Sequence, residues 1–183
     1  MLYSELMKAA IFLSAALAAL TAAADWKISS EADEITDEVY YFIDTDGTRV
    51  ETHPCVYYTP SLCFKVRPQG LNADGKVLHK TEALIIIDEG LHRGSTEIIT
   101  RFDRAKPTTQ SWPTSTSRRA AFAPNGFAFM RSVAGATNLT VRYTTTLGHV
   151  RTTKFSVADF KAAINEVIAR YKKTAEKKLP AAQ

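Results

Sequence analysis

The sequence predicts a β-dominated domain, an antiparallel β-sandwich closed by one C-terminal α-helix. Three observations carry this. Short runs rich in β-branched and aromatic residues are separated by turn-forming Gly, Asp and Pro. Two such runs near the end flank Gly148-His149. A helical apolar stripe follows them.

Taken in order, Val39 to Ile43 and Thr48 to Thr52 read as a hairpin joined by Asp44-Thr45-Asp46-Gly47. A second turn, Ala73-Asp74-Gly75, precedes the buried-type strands Ala83 to Ile87 and Glu97 to Phe102. Asp103 to Ala121 carries Pro107, Pro113 and many Ser and Thr residues without a hydrophobic period, the pattern of a long exposed loop. Phe122 to Val133 reads as a short helix or turn whose Phe127, Phe129 and Met130 plug the core.

Leu139 to Leu147 and Val150 to Phe155 form the last hairpin, with Gly148 first in a two-residue type II′ turn. That turn pairs Leu147 with Val150 and Tyr143 with Lys154 on a buried face. It sends Arg142 and Arg151, with the intervening Thr residues, to solvent. Ser156 is then the expected N-cap of the helix, with Phe155 and Phe160 as its hydrophobic staple and Phe160, Ile164, Val167, Ile168 and Tyr171 as its apolar stripe.

Ahead of this domain, Lys8, the apolar run Ala9 to Leu20 and the small residues Thr21 to Ala24 have the order of a secretory signal peptide. Cleavage after Ala22-Ala23-Ala24 makes Asp25 the first mature residue. Met7 gives a cleaner basic lead than Met1 and is the expected initiator. The apolar run falls short of the roughly 20 residues a spanning helix needs, so no integral membrane span is expected. The chain divides into the leader, residues 1–24, one β-rich domain, residues 25–171, and a basic flexible tail, residues 172–183. Its place is the periplasm or the exterior of a bacterium.

A composition 45% hydrophobic and 23% charged excludes a disordered chain. Cys55 and Cys63 lie close together in a compartment where disulfides persist, and a structural bridge between them is expected. Their spacing fits neither a C-x-x-C redox pair nor a zinc site.

His53, His79, His92 and His149 are scattered, so no metal site and no cofactor is expected. Asp88-Glu89 with His92 reads as a charged turn rather than an acid–base group. Asp44-x-Asp46-Gly47 lacks the remaining ligands of a calcium loop. No nucleophile elbow, Walker loop or dinucleotide fingerprint occurs, so no catalytic residue is assigned.

Charge is divided along the chain. Asp25 to Thr100 holds 7 Lys/Arg against 14 Asp/Glu, whereas Arg101 to Gln183 holds 15 against 4. Either the two halves neutralise each other across one surface, or Arg118, Arg119, Arg142, Arg151 and the helix tail form a basic patch. Such a patch, in an exported protein, faces an anionic envelope polymer or an acidic protein rather than nucleic acid.

The leader, the mature start Asp25-Trp26, and the ending Phe155-Ser156-Val157-Ala158-Asp159-Phe160-Lys161-Ala162-Ala163 together resemble the invasion-associated locus B family. In that family the last strand enters a helix through a similar Phe-x-Leu-x-Gly-Phe-x-x-Ala pattern. The likeness covers about Leu139 to Ile168. Asp159 stands where the family has Gly, and the family's Cys pattern is not reproduced. The resemblance implies a non-enzymatic envelope protein linked to host-cell interaction and carries over no catalytic residues. The alternative is a small exported enzyme, or a periplasmic inhibitor of a hydrolase such as lysozyme.

Overall fold

The computed structural model describes residues 25–33, 35, 38–50, 59–87 and 89–178. The expected leader, residues 1–24, and the residues His53, Cys55 and Asp88 lie outside these. Two antiparallel five-stranded sheets pack face to face. The first runs β1 (Lys27–Ala32), β2 (Val39–Asp46), β4 (Ser61–Leu71), β5 (Val77–Ile86), β8 (Ala120–Phe122). The second runs β3 (Thr48–Arg49), β10 (Val150–Ser156), β9 (Asn138–Thr144), β6 (Ser95–Phe102), β7 (Thr108–Pro113). Helix α1 (Gly126–Ala134) lies against β5, and α2 (Phe160–Lys178) lies against α1 and β2.

Period-two alternation decides which residues meet between the sheets. Tyr41, Ile43, Leu62, Phe64, Val66, Ala83 and Ile85 point inward from the first sheet and are buried. Ile98, Trp112, Leu139, Val141, Tyr143 and Phe155 do so from the second. The helices add Phe129, Met130, Val133, Phe160, Ile164 and Val167. Each fully buried side chain of this size contributes about 2 to 3 kcal/mol by area. Phe64 and Phe160 have ring centroids 4.6 Å apart, and Trp112 meets Phe129 edge-on at 5.2 Å.

The structure departs from the sequence reading at several points: Phe127, expected in the core, is 48% exposed, and β1 and β4 have no counterpart in that reading. Asp44 to Gly47 is not a hairpin turn. β2 runs straight through Asp46, and at Gly47 the chain crosses from the first sheet to the second, where β3 pairs with β10. A Cβ on Gly47 would lie 2.5 Å from the Thr153 side chain and 2.6 Å from Phe155, so glycine serves close approach there.

The stretch Asp103 to Ala121 is not one loop, since it contains β7 and the start of β8. β7 is an edge strand whose Thr, Gln and Ser residues gave no periodic signal, yet its Trp112 is completely buried.

The last hairpin has a five-residue connection, Thr145 to His149, closed by Thr145 N–H donating to the His149 carbonyl at 2.9 Å. Gly148 does take the positive φ of 79° that its type allows, but inside that longer loop. Tyr143 therefore pairs with Arg151 rather than Lys154. This slip by an odd number of residues exchanges the faces of β10. Leu147 and Val150, expected in the core, are 80% and 54% exposed.

Helix α2 starts at Phe160, not after Ser156, which ends β10. Asp159 occupies the left-handed region at φ 61° and its carbonyl accepts from Ala162 and Ala163. That is the position where the resembled family carries Gly, the residue the left-handed region favours. Phe155 and Phe160 are both buried, but with the helix starting at Phe160 they no longer stand at the staple positions. The apolar stripe holds as read, and the helix extends through Lys178.

Candidate functional site

The outer face of the second sheet is built by the residues that alternate with its core. Arg142 on β9 lies opposite Ile99 on β6 and Thr152 on β10. One row along, Arg101 on β6 lies opposite Thr140, which lies opposite Lys154 on β10. With strands about 4.8 Å apart, these three cations sit within roughly 10 Å of one another at the backbone. Arg101, Arg142 and Lys154 are exposed, and Glu97 is the only acid on this face among the described residues. Thr48, Thr109, Thr140, Thr144 and Thr152 fill the positions between them. Arg142 Nε donates to Thr152 Oγ1 at 3.3 Å, which steers its guanidinium along the sheet.

Of the four arginines singled out from sequence, Arg142 belongs to this face. Arg118 and Arg119 are exposed in the turn between β7 and β8. That turn is held rigid: the Ser115 hydroxyl accepts from the Arg119 and Ala120 amides, and the carbonyls of Arg118 and Arg119 accept from Leu91 and Ile87. It sits at the Ser95 end of β6, away from Arg101.

Arg151 is not exposed. The corrected register turns it inward, where only 10% of its side chain is accessible. Its Nε donates to both Glu89 carboxylate oxygens at 3.0 Å, and Arg49 Nη1 donates to the same carboxylate at 3.1 Å. Arg151 Nη2 lies 3.2 Å from His149 Nδ1, which accepts when unprotonated. Glu89 is thus held by two arginines, and His92 lies exposed on the surface. Taking these charges out of water is costly, so the cluster serves as an internal clamp joining β3, β10 and the segment after β5.

Cys63 stands in the structure as a free, buried thiol, and its expected partner Cys55 lies outside the described residues. It faces outward from the first sheet between Asp44 and Leu84. Burial, and secondarily the Asp44 carboxylate, push the thiol up to about 11. It is therefore protonated and unreactive at neutral pH. Among the described residues, no three His, Cys, Asp or Glu side chains converge on a point that could hold a metal ion, and no helix is long and apolar enough to cross a membrane.

Sequence reading missed Arg101 and Lys154. The signal for Arg101 was present in the alternation Glu97, Ile99, Arg101 against Ile98 and Thr100. Lys154 was hidden by the register error.

No protein-family profile matches the chain, and no curated protein sequence matches it. Among solved structures it is similar to the crystal structure of invasion associated protein B from Bartonella henselae, with a TM-score of 0.52 and 15% identity. The match covers 82% of this chain and 95% of that one. At this identity the likeness is one of fold.

Proposed function

We propose that this chain is an exported, non-catalytic envelope protein that binds an anionic surface polymer through the outer face of its second sheet. The observation that carries the reading is the register that sets Arg101, Arg142 and Lys154 on one exposed face with a single acid among the described residues. Guanidinium groups grip phosphate and carboxylate oxygens with paired hydrogen bonds, and the threonine hydroxyls between them supply neutral contacts. The leader-like start and the fold shared with invasion associated protein B support an envelope location and a part in contact with host cells.

Co-sedimentation with lipopolysaccharide, anionic vesicles and peptidoglycan tests this. Wild-type protein pellets with at least one of them at low salt, and an R101Q/R142Q/K154Q variant stays in solution. Equal pelleting of the two proteins overturns the reading.

A further inference from the structure

On the opposite side of the sandwich, the outer face of the first sheet holds a separate depression of about 120 Å3 lined by Tyr40, Lys65, Arg67, Lys80 and Glu82. Its floor is set by strand register. Arg67 on β4 lies directly opposite Lys80 on β5, and Lys65, two positions along β4, lies opposite Glu82. Like charges placed directly opposite each other in an antiparallel pair repel, so this arrangement costs stability unless something negative sits between them.

The neighbouring groups meet that demand at Arg67 and leave it open at Lys80. Glu38 accepts from Arg67 Nη1 at 3.3 Å and from the Tyr40 hydroxyl at 3.1 Å, which fixes both side chains at one wall. Lys65 Nζ rests over the Tyr40 ring, 4.3 Å from its centroid. Lys65 and Lys80 have no ion-pair partner among the described residues. Arg67 Nε is shielded from solvent, so an anion entering the depression meets Arg67 through the outer edge of its guanidinium. The opposed cations, with Lys80 unpaired among the described residues, mark this depression as a place for an anion.

We infer that this depression is a subsite for one compact anionic group, a phosphate or carboxylate, borne by a sugar unit whose adjacent hydroxyl donates to Glu82. Its volume fits a single such group rather than a chain. The acceptor Glu82 on its rim selects a ligand that carries a donor beside its charge, and Tyr40, pinned by Glu38, forms the side wall. This site lies on the other face from the Arg101, Arg142 and Lys154 surface and does not depend on it.

The test is an amide chemical-shift titration at constant ionic strength with three probes: inorganic phosphate, glucuronate and glucose. Phosphate and glucuronate should move the amides of Lys65 to Arg67 and Lys80 to Glu82 saturably, with glucuronate the tighter, while glucose leaves them in place. K80Q and R67Q should each weaken the glucuronate response at least tenfold, and R101Q/R142Q/K154Q should leave it unchanged. E82Q should bring glucuronate down to the level of phosphate. A thermal readout covers folding: glucuronate raises the Tm of wild type but not of K80Q, and K80Q without ligand melts no lower than wild type. Shifts scattered over all surface cations, or a K80Q protein that responds like wild type, overturn the proposal.

Discussion

Trp26 Nε1 donates a 2.8 Å hydrogen bond to the carbonyl of Ala158, tying the residue ahead of β1 to the turn that launches the C-terminal helix. The indole also lies 4.8 Å from Phe160 and 6.3 Å from Phe64, centroid to centroid. Trp26→Ala should therefore cost about 3 kcal/mol in urea unfolding through lost packing, whereas Trp26→Phe should cost about 1 kcal/mol, the worth of the hydrogen bond. Equal costs would mean that the ring contributes nothing beyond its N–H.

Asp159 sits in the left-handed region immediately before helix α2. A non-glycine residue pays about 1 to 2 kcal/mol there, which a carboxylate at a helix N-terminus offsets in part. Asp159→Gly should leave stability within about 0.5 kcal/mol of wild type, because relief of backbone strain balances the lost charge. Asp159→Ala should lose about 1 kcal/mol, since it keeps the strain and loses the charge. Thermal unfolding of the two variants side by side decides this, and a more stable Ala variant would contradict it.

Glu89 is the shared carboxylate of Arg49 and Arg151. Removing one partner of a buried ion pair strands the others, so Glu89→Gln should destabilise by about 3 kcal/mol. Arg151→Gln should lower stability in the same way while leaving low-salt binding to anionic polymers at the wild-type level. Loss of binding with unchanged stability in that variant would return Arg151 to the surface role its sequence position had indicated.

The Cys63 thiol keeps its proton to higher pH when folded than an unfolded thiol, which ionises near about 8.5. Between about 8.5 and the folded value of about 11 the unfolded state has released a proton that the folded state retains. Stability is thus intact below that window and falls as pH rises through it. Urea midpoints from pH 8 to pH 10 should drop more for wild type than for Cys63→Ala. The folded protein should resist thiol alkylation at pH 8 and react once unfolded. Failure of the unfolded, unreduced chain to react would show Cys63 bonded to Cys55 instead.

Fold class was legible because it rests on local pattern. The alternation in β2 and β9 and the stripe of α2 each declare a buried face within a few residues. What was illegible depended on partners far along the chain. Asp44 to Gly47 has turn composition, yet β4 pairs with Asp44 to Asp46 and β1 reaches Asp44 from the other side, which holds it extended. β7 has one apolar residue facing inward, too few for a period. Gly148 marks a turn correctly, but whether the connection spans two residues or five depends on how Thr145 and His149 bond. That single choice decided whether Arg151 faces water or Glu89, and with it the membership of the basic face.

The salt dependence of binding tests the central claim most directly. Exposed cations lose their pull as the Debye length falls from about 10 Å at 0.1 M to about 3 Å at 1 M salt. The affinity of wild-type protein for anionic vesicles or lipopolysaccharide should fall steeply over this range, with R101Q/R142Q/K154Q binding weakly and almost independently of salt. R118Q/R119Q, altered at the far end of the sheet, should keep most of the wild-type slope. A wild-type affinity that is flat with salt, or a triple variant that reproduces the wild-type slope, would contradict the assignment of this face.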